Sequence, residues 1–249
     1  MTPRARAIAW RDAAHDAVCD RVEAVPYGTL IAASAVPNFW DYNALRIDGP
    51  VPATAAELAA EADRLQGALG LEHRKVEIHD EATGARLVEG FRALGWNVAR
   101  HEWMLHAGPT PERPAAVEQV HARLVLELRR EWAGGYPDGP DFTAIEDRAA
   151  GLLPGGRLAL AALDPWPVAF LLLRAAGASA EITDVYCTPS HRGRGLGGAL
   201  VDGAVATARA ERVRDLWIVA DAGGRAQALY ARRGFTGVWR SHEFVRAPA

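Results

Sequence analysis

The chain has 249 residues, 49% apolar and 24% charged, a mixture that supports a packed core and argues against disorder. The net charge of −3 argues against a nucleic-acid partner, and no apolar run approaches the ~18 residues of a bilayer-spanning helix. Nothing near the N-terminus reads as a signal peptide, and Cys19 and Cys187 sit in unlike contexts that suit reduced thiols, so a cytoplasmic location is expected.

In chain order, the first feature is an aromatic cluster around an acid, Phe39-Trp40-Asp41-Tyr42-Asn43. It suits core packing at a strand start; a cation–π pocket for an amine is the alternative. Thr54 and Glu57 form a T-x-x-E capping box, which predicts a helix start. A strand is predicted over 75–79 and a helix over about 85–94, closed by Gly95-Trp96. Residues 107–114 hold three prolines and a glycine and suit neither a helix nor a central strand. They read as a linker, which divides the chain into 1–110 and 111–249.

After the linker a helical opening is predicted over about 117–132. Strands follow at about 157–163, 168–175, 180–187, 216–220 and 237–245, with helices at about 195–212 and 224–233. Adjacent strands come first and strand–helix alternation later. That order implies an α/β protein with a mixed, α+β-like sheet and helices on its faces. A shift of 139 carries Pro50 to Pro189, Arg86 to Arg225, Phe91 to Tyr230, Gly95 to Gly234 and Trp96 to Phe235, which suggests an internal duplication.

The most informative segment is His191-Arg192-Gly193-Arg194-Gly195-Leu196-Gly197-Gly198, which joins a strand to a helix with apolar residues at Leu196, Leu200, Ala204 and Ala208. Glycines at a first helical turn leave backbone N–H groups bare, and the helix dipole adds about half a positive charge there. Arg192 and Arg194 add cationic contact. The arrangement suits a diphosphate. A P-loop is excluded, because no Gly-Lys pair is followed by Ser or Thr. Gly193, Gly195 and Gly198 match a dinucleotide fingerprint, with Asp221 ending the next strand. That fingerprint normally opens a parallel βαβ unit, whereas several adjacent strands precede this loop.

Tyr186-Cys187-Thr188-Pro189-Ser190-His191-Arg192-Gly193-Arg194-Gly195-Leu196-Gly197 resembles the acetyl-CoA signature of the GNAT superfamily of N-acetyltransferases, a strand ending in V-x-P followed by Q/R-x-x-G-x-G/A at a helix start. Leu229-Tyr230-Ala231-Arg232-Arg233-Gly234-Phe235 resembles the family's second signature, L-Y-x-x-x-G-F. The resemblance spans about 117–245 and implies an acetyl-CoA-dependent transferase acting on a primary amine of a small molecule or peptide. It implies that Val185, Tyr186 and Cys187 pair with the pantetheine arm. Arg192, Gly193, Arg194, Gly195, Leu196, Gly197 and Gly198 would hold the diphosphate. Two positions depart from the pattern: Cys187 replaces the usual Val, and Gly223 stands where an Asn is frequent.

By the same resemblance Tyr230 is the acid for the departing thiolate, and Glu181 is the preferred base. Asp184, His242 and Glu243 are alternatives for the base. An odd separation places Glu181 and Asp184 on opposite faces of a regular strand. Direct attack by the amine needs no nucleophile, so Cys187 reads as structural, and no metal site is assigned. Shifted by 139, the loop falls on Ala53-Thr54-Ala55-Ala56-Glu57-Leu58, without glycines or arginines, and Phe91 replaces the tyrosine. The N-terminal half therefore resembles a degenerate GNAT-like domain in tandem with an active one. A non-catalytic acyl-CoA-binding sensor or interaction module is the rival reading, disfavoured by the retained Tyr230. Gly195→Asp is expected to fold, provided that Gly195 needs no positive φ.

Overall fold

A computed structural model describes residues 1–134 and 142–248. The chain forms two compact units. The C-terminal unit comprises Met1–Ala7, Trp103–Ala144 and Pro154–Val238; the N-terminal unit comprises Ile8–Glu102, Ile145–Leu153 and Trp239–Ala249. The units are thus interleaved in sequence, whereas the linker reading divides the chain linearly at 110/111. The cause is visible in the N-terminal unit, whose sheet recruits a strand from far downstream.

That sheet begins with β1 (Arg21–Val25) and β2 (Gly28–Ala32), an antiparallel hairpin. β2 pairs antiparallel with β3 (Ala44–Ile47), which pairs parallel with β4 (Arg74–Ile78). β4 then pairs antiparallel with residues His242–Arg246. One face is apolar: Leu45, Ile47, Val76, Ile78 and Phe244 pack beneath α2 (Ala55–Ala68) and α3 (Glu81–Ala93). Phe91 of α3 stacks on Phe244 with ring centroids 4.1 Å apart. The capping box at α2 forms as predicted: Thr54 accepts from Glu57 N–H, and the Glu57 carboxylate accepts from Thr54 N–H at 2.8 Å.

The opposite face is charged yet buried. Arg11 and His15 belong to α1 (Pro3–Val18). Arg11 pairs with Glu77, and Arg46 donates to Asp12 at 3.0 Å and contacts His15 Nδ1 at 3.1 Å. Lys75 lies between Asp41 and Glu243 at 2.5 and 2.6 Å. Each buried charge thus has an opposite charge beside it, as burial requires. The aromatic cluster is core structure. Tyr42 packs with Ala14, Val18 and Val36, while Trp40 stacks on His73 at 5.0 Å. The Asn43 side chain donates to the Val36 and Phe39 carbonyls and accepts from Ala33 N–H.

The C-terminal unit's sheet contains β6 (Val117–Val120), β7 (Gly156–Leu163), β8 (Pro167–Ala176), β9 (Ser179–Cys187) and β10 (Asp215–Asp221). β6 through β9 pair antiparallel, and β9 pairs parallel with β10. One face packs under α6 (Leu196–Ala210) through Leu160, Leu171, Ile182, Leu200 and Ala204. The other meets α4 (Leu126–Ala133) through Phe170, Leu172, Val125 and Leu128. The predicted helical opening over 117–132 is corrected. Its first residues form β6, because edge pairing with β7 captures Val117–Val120, and the α-helix begins only at Leu126. Within the predicted opening, only 126–132 is α-helical.

α7 (Arg225–Arg232) is followed by Gly234 at φ +84, and β11 (Phe235–Arg246) starts next. In the N-terminal half α3 is followed by Gly95 at φ +75 and by β5 (Asn97–His106). The offset of 139 therefore holds at these helix ends. At the helix starts it changes, since the N-caps are Thr54 and Gly195, 141 positions apart. The ungapped alignment slips by two residues at the loop.

Two buried histidines make the N-terminal unit acid-sensitive. Burial lowers His15 and His73 to about 4, from an ordinary value of 6.5. Between pH 6.5 and 4 the unfolded chain takes up protons that the folded one refuses, so stability is complete above 6.5 and falls as pH drops through this window. Each histidine contributes a slope of up to roughly 1.4 kcal/mol per pH unit. Urea unfolding from pH 7 to 4 should show this loss, and a His15→Gln, His73→Gln variant should show a shallower one.

Candidate functional site

The site is built where β9 and β10 part. Their parallel ladder runs from Asp215↔Ser179 to Ile218↔Ile182 and stops there, although β9 continues to Cys187 and β10 to Asp221. The β8–β9 register also shifts at this level, from Leu172↔Thr183 to Phe170↔Tyr186. Asp184 occupies the resulting β-bulge with φ +54, a left-handed conformation that Asp tolerates better than most residues. The bulge bends β9, so Thr183–Cys187 has no ladder partner on its β10 side among the described residues. An extended ligand with amide groups could pair there as a strand would.

The bulge also reverses the alternation of side chains. Ala180 and Ile182 face α6, and so do Val185 and Cys187, while Tyr186 joins the cluster on the α4 side. The alternation that would separate Glu181 from Asp184 holds for a regular strand, and Asp184 lies in the bulge itself, where that period is interrupted. Glu181 lies before the bulge, opposite Arg174, and pairs with that guanidinium at 2.9 Å.

Cys187 leads into Thr188, a short 3-10 turn at Pro189–His191 and the glycine loop. Gly193 and Gly195 have φ of +80 and +81, and Gly195 is the N-cap of α6. This is why glycine is needed at both positions. It also corrects the expectation for Gly195→Asp, which would be strained whatever the ligand. The cap has no side-chain acceptor, and Ala199 N–H makes the bond to the Gly195 carbonyl. The N–H groups of Leu196, Gly197 and Gly198 precede that bond, so no helical carbonyl receives them. Gly197 has ordinary φ, and a Cβ there would meet only Leu229 Cδ2 at 3.5 Å. A Cβ on Gly198 would strike the Arg233 guanidinium, which is anchored to Asp202 at 2.8 Å. Arg192 donates to the Cys187 carbonyl at 3.1 Å and lies 5.9 Å from the Tyr186 ring centre. Arg194 reaches Asp164 at 3.7 Å. Bare N–H groups between two arginines fit an anionic group.

Tyr230 lies on α7, 5% exposed, in the core cluster shared with α6, β9 and β10. Its hydroxyl has no hydrogen-bond partner among the described residues, and burial pushes its pKa up to about 12. Gly234 closes α7 where its Cα approaches the Gly108 backbone so closely that a Cβ would lie 2.8 Å from Gly108 Cα. The second signature thus has a steric reason for its glycine. Burial also raises the Cys187 thiol, and its Sγ donates to the Thr188 carbonyl at 3.6 Å, an environment unlike that of an activated nucleophile. At the missing Asn position, Gly223 N–H donates to Gln227 Oε1 at 2.5 Å. His242 and Glu243 belong to the N-terminal unit, where Glu243 pairs with Lys75 and His242 packs on Gly84. The structure brings Val185–Cys187, the loop and Tyr230 into one unit; it does not bring these two alternative bases there. The bulge gave no sequence signal beyond an Asp inside a strand.

The model of the acetyltransferase (GNAT) family matches residues 122–235. No curated protein is matched by the sequence. A functionally unknown conserved protein from Staphylococcus epidermidis superposes with a TM-score of 0.72 at 13% identity, covering 93% of this chain and 95% of its own. A GCN5-related N-acetyltransferase from Kribbella flavida gives 0.65 at 21% identity over 100% and 97%. A tandem GNAT protein from the clavulanic acid biosynthesis pathway, in a form without AcCoA, gives 0.50 at 14% identity over 78% and 70%. At these identities the likeness establishes the mixed α/β fold. With the glycine loop and the L-Y-x-x-x-G-F helix in place, residues 122–235 are a domain of the GNAT acetyltransferase family.

Proposed function

We propose that the chain is an acetyl-CoA-dependent N-acetyltransferase acting on a primary amine of a small molecule or peptide. The observation that carries this is the bare α6 N-terminus beside the β9–β10 divergence. The first suits a diphosphate and the second an amide-bearing arm, and acetyl-CoA contains both. Leu196, Gly197 and Gly198 N–H groups and Arg192 and Arg194 would hold the diphosphate; backbone of Val185–Cys187 would hold the arm. Acetyl-CoA would supply the activated acetyl thioester.

An amine of pKa ~10.4 must lose a proton before it attacks. Glu181 is the carboxylate for that proton, relayed through water. As the amine's N–C bond forms and the C–S bond breaks, Tyr230 gives its proton to the departing sulfur. Its high pKa keeps the phenol protonated at neutral pH. Against a thiol of ~8.5, the uphill gap is about 5 kcal/mol, well below the roughly 16 kcal/mol barrier of an enzyme turning over ten times per second. A buried, retained donor favours catalysis over a sensor role. The N-terminal unit is a degenerate GNAT-like domain: the Thr54–Glu57 box uses the α2 N–H groups and places a carboxylate there.

Three expected outcomes test this. Calorimetry on the intact protein should give one acetyl-CoA per chain, and Gly197→Asp should abolish binding while circular dichroism stays unchanged. Two sites per chain would refute the degenerate unit, and parental affinity in the variant would refute the loop. Tyr230→Phe should lower kcat by about 10- to 1,000-fold with acetyl-CoA affinity nearly unchanged; an unaltered kcat would remove Tyr230 as the acid. Glu181→Gln should lower kcat/KM at neutral pH, with a deficit that shrinks as pH approaches the amine's own pKa. A deficit constant with pH would assign Glu181 to structure, with Arg174.

A further inference from the structure

Trp166 is the one exposed Phe, Trp or Tyr side chain among the described residues, at 73% of its full exposure. It sits in the β7–β8 hairpin turn between Pro165 and Pro167. Asp164 N–H closes the turn on the Trp166 carbonyl at 2.8 Å. Two prolines and a closed turn limit the backbone, so the indole is offered to solvent from a stiff support. Single exposed apolar side chains are ordinary on protein surfaces, so exposure alone assigns the ring no role.

The position of the turn suggests one. β8 runs antiparallel to both β7 and β9, so the β7–β8 turn and the end of β9 lie at the same edge of the sheet. Asp164 meets the glycine loop directly: its carboxylate lies 3.6 Å from His191 Nε2 and 3.7 Å from Arg194 Nη1. Trp166 is two residues from an acid that touches the loop's second arginine. A ligand whose diphosphate rests on α6 continues, on the side away from the thioester, into an adenosine. Its purine is a flat π surface, for which an exposed indole is the best-matched side chain.

We propose that Trp166 is a stacking platform for the adenine of the acyl-CoA, set beside the diphosphate loop by the Asp164 contacts. This rests on the loop's being the diphosphate site, and the experiment separates the two. Calorimetry compares acetyl-CoA with S-acetyl-4′-phosphopantetheine, which keeps the thioester arm and one phosphate but has no adenosine. Trp166→Ala should weaken acetyl-CoA binding roughly tenfold and leave the truncated thioester's affinity unchanged; Trp166→Phe should recover part of the loss. Parental affinity of Trp166→Ala for acetyl-CoA, alongside loss of binding in Gly197→Asp, would overturn the platform and leave the loop reading standing. Equal weakening toward both ligands would also overturn it, since the ring would then be shaping the loop. If the parent binds no acetyl-CoA, both readings fall. The indole is exposed, so these variants should fold as the parent does.

Discussion

The C-terminal unit depends on a single break in regular pairing. One extra residue, Asp184, ends the cooperation between β9 and β10, and the site follows from it. Had the ladder continued to Cys187, every amide between the strands would be satisfied internally, leaving no place for an extended ligand. The bulge also turns Val185 and Cys187 toward α6, so β9 serves the core and the opening together. The stability forgone in a few ladder bonds is offset by dense packing of Leu171, Ile182, Leu200 and Ala204 directly beneath.

Charge is handled differently in the two units. The C-terminal unit leaves donors bare at the α6 N-terminus, with arginines around them. In the N-terminal unit the corresponding helix start is closed by its own Thr and Glu, and Arg86 donates to the Val51 and Ala53 carbonyls in the preceding loop at 2.7 and 3.1 Å. Its charged sheet face pairs each cation with a carboxylate and turns to structural use. A similar chain path thus yields a polar surface prepared for a ligand in one case and a self-satisfied one in the other.

Much of this was legible in the sequence, for local reasons. Strands β7 to β10, helices α6 and α7, the Thr54 cap and the glycine loop declare themselves by periodicity, capping chemistry and bare glycines. What stayed hidden was set by distant partners. Val117–Val120 is a strand because β7 lies beside it, not because its own pattern demands one. The left-handed Gly195 and the bulged Asp184 depend on a loop and a register that no short window contains. The division at the prolines missed the recruitment of His242–Arg246 by β4, a pairing across more than 160 residues.

That recruitment has a consequence for how the protein comes into being. While the ribosome is still making the C-terminal unit, β4 presents Lys75 and Arg74 along an open edge, with Phe91 waiting above for the Phe244 ring. Its native neighbour does not yet exist. The N-terminal sheet must therefore remain unfinished through most of synthesis, dependent on charge at that edge to discourage strangers. A fragment cut at the prolines would hold that unfinished state permanently, so the first half of this chain is not a part that can be taken out and kept.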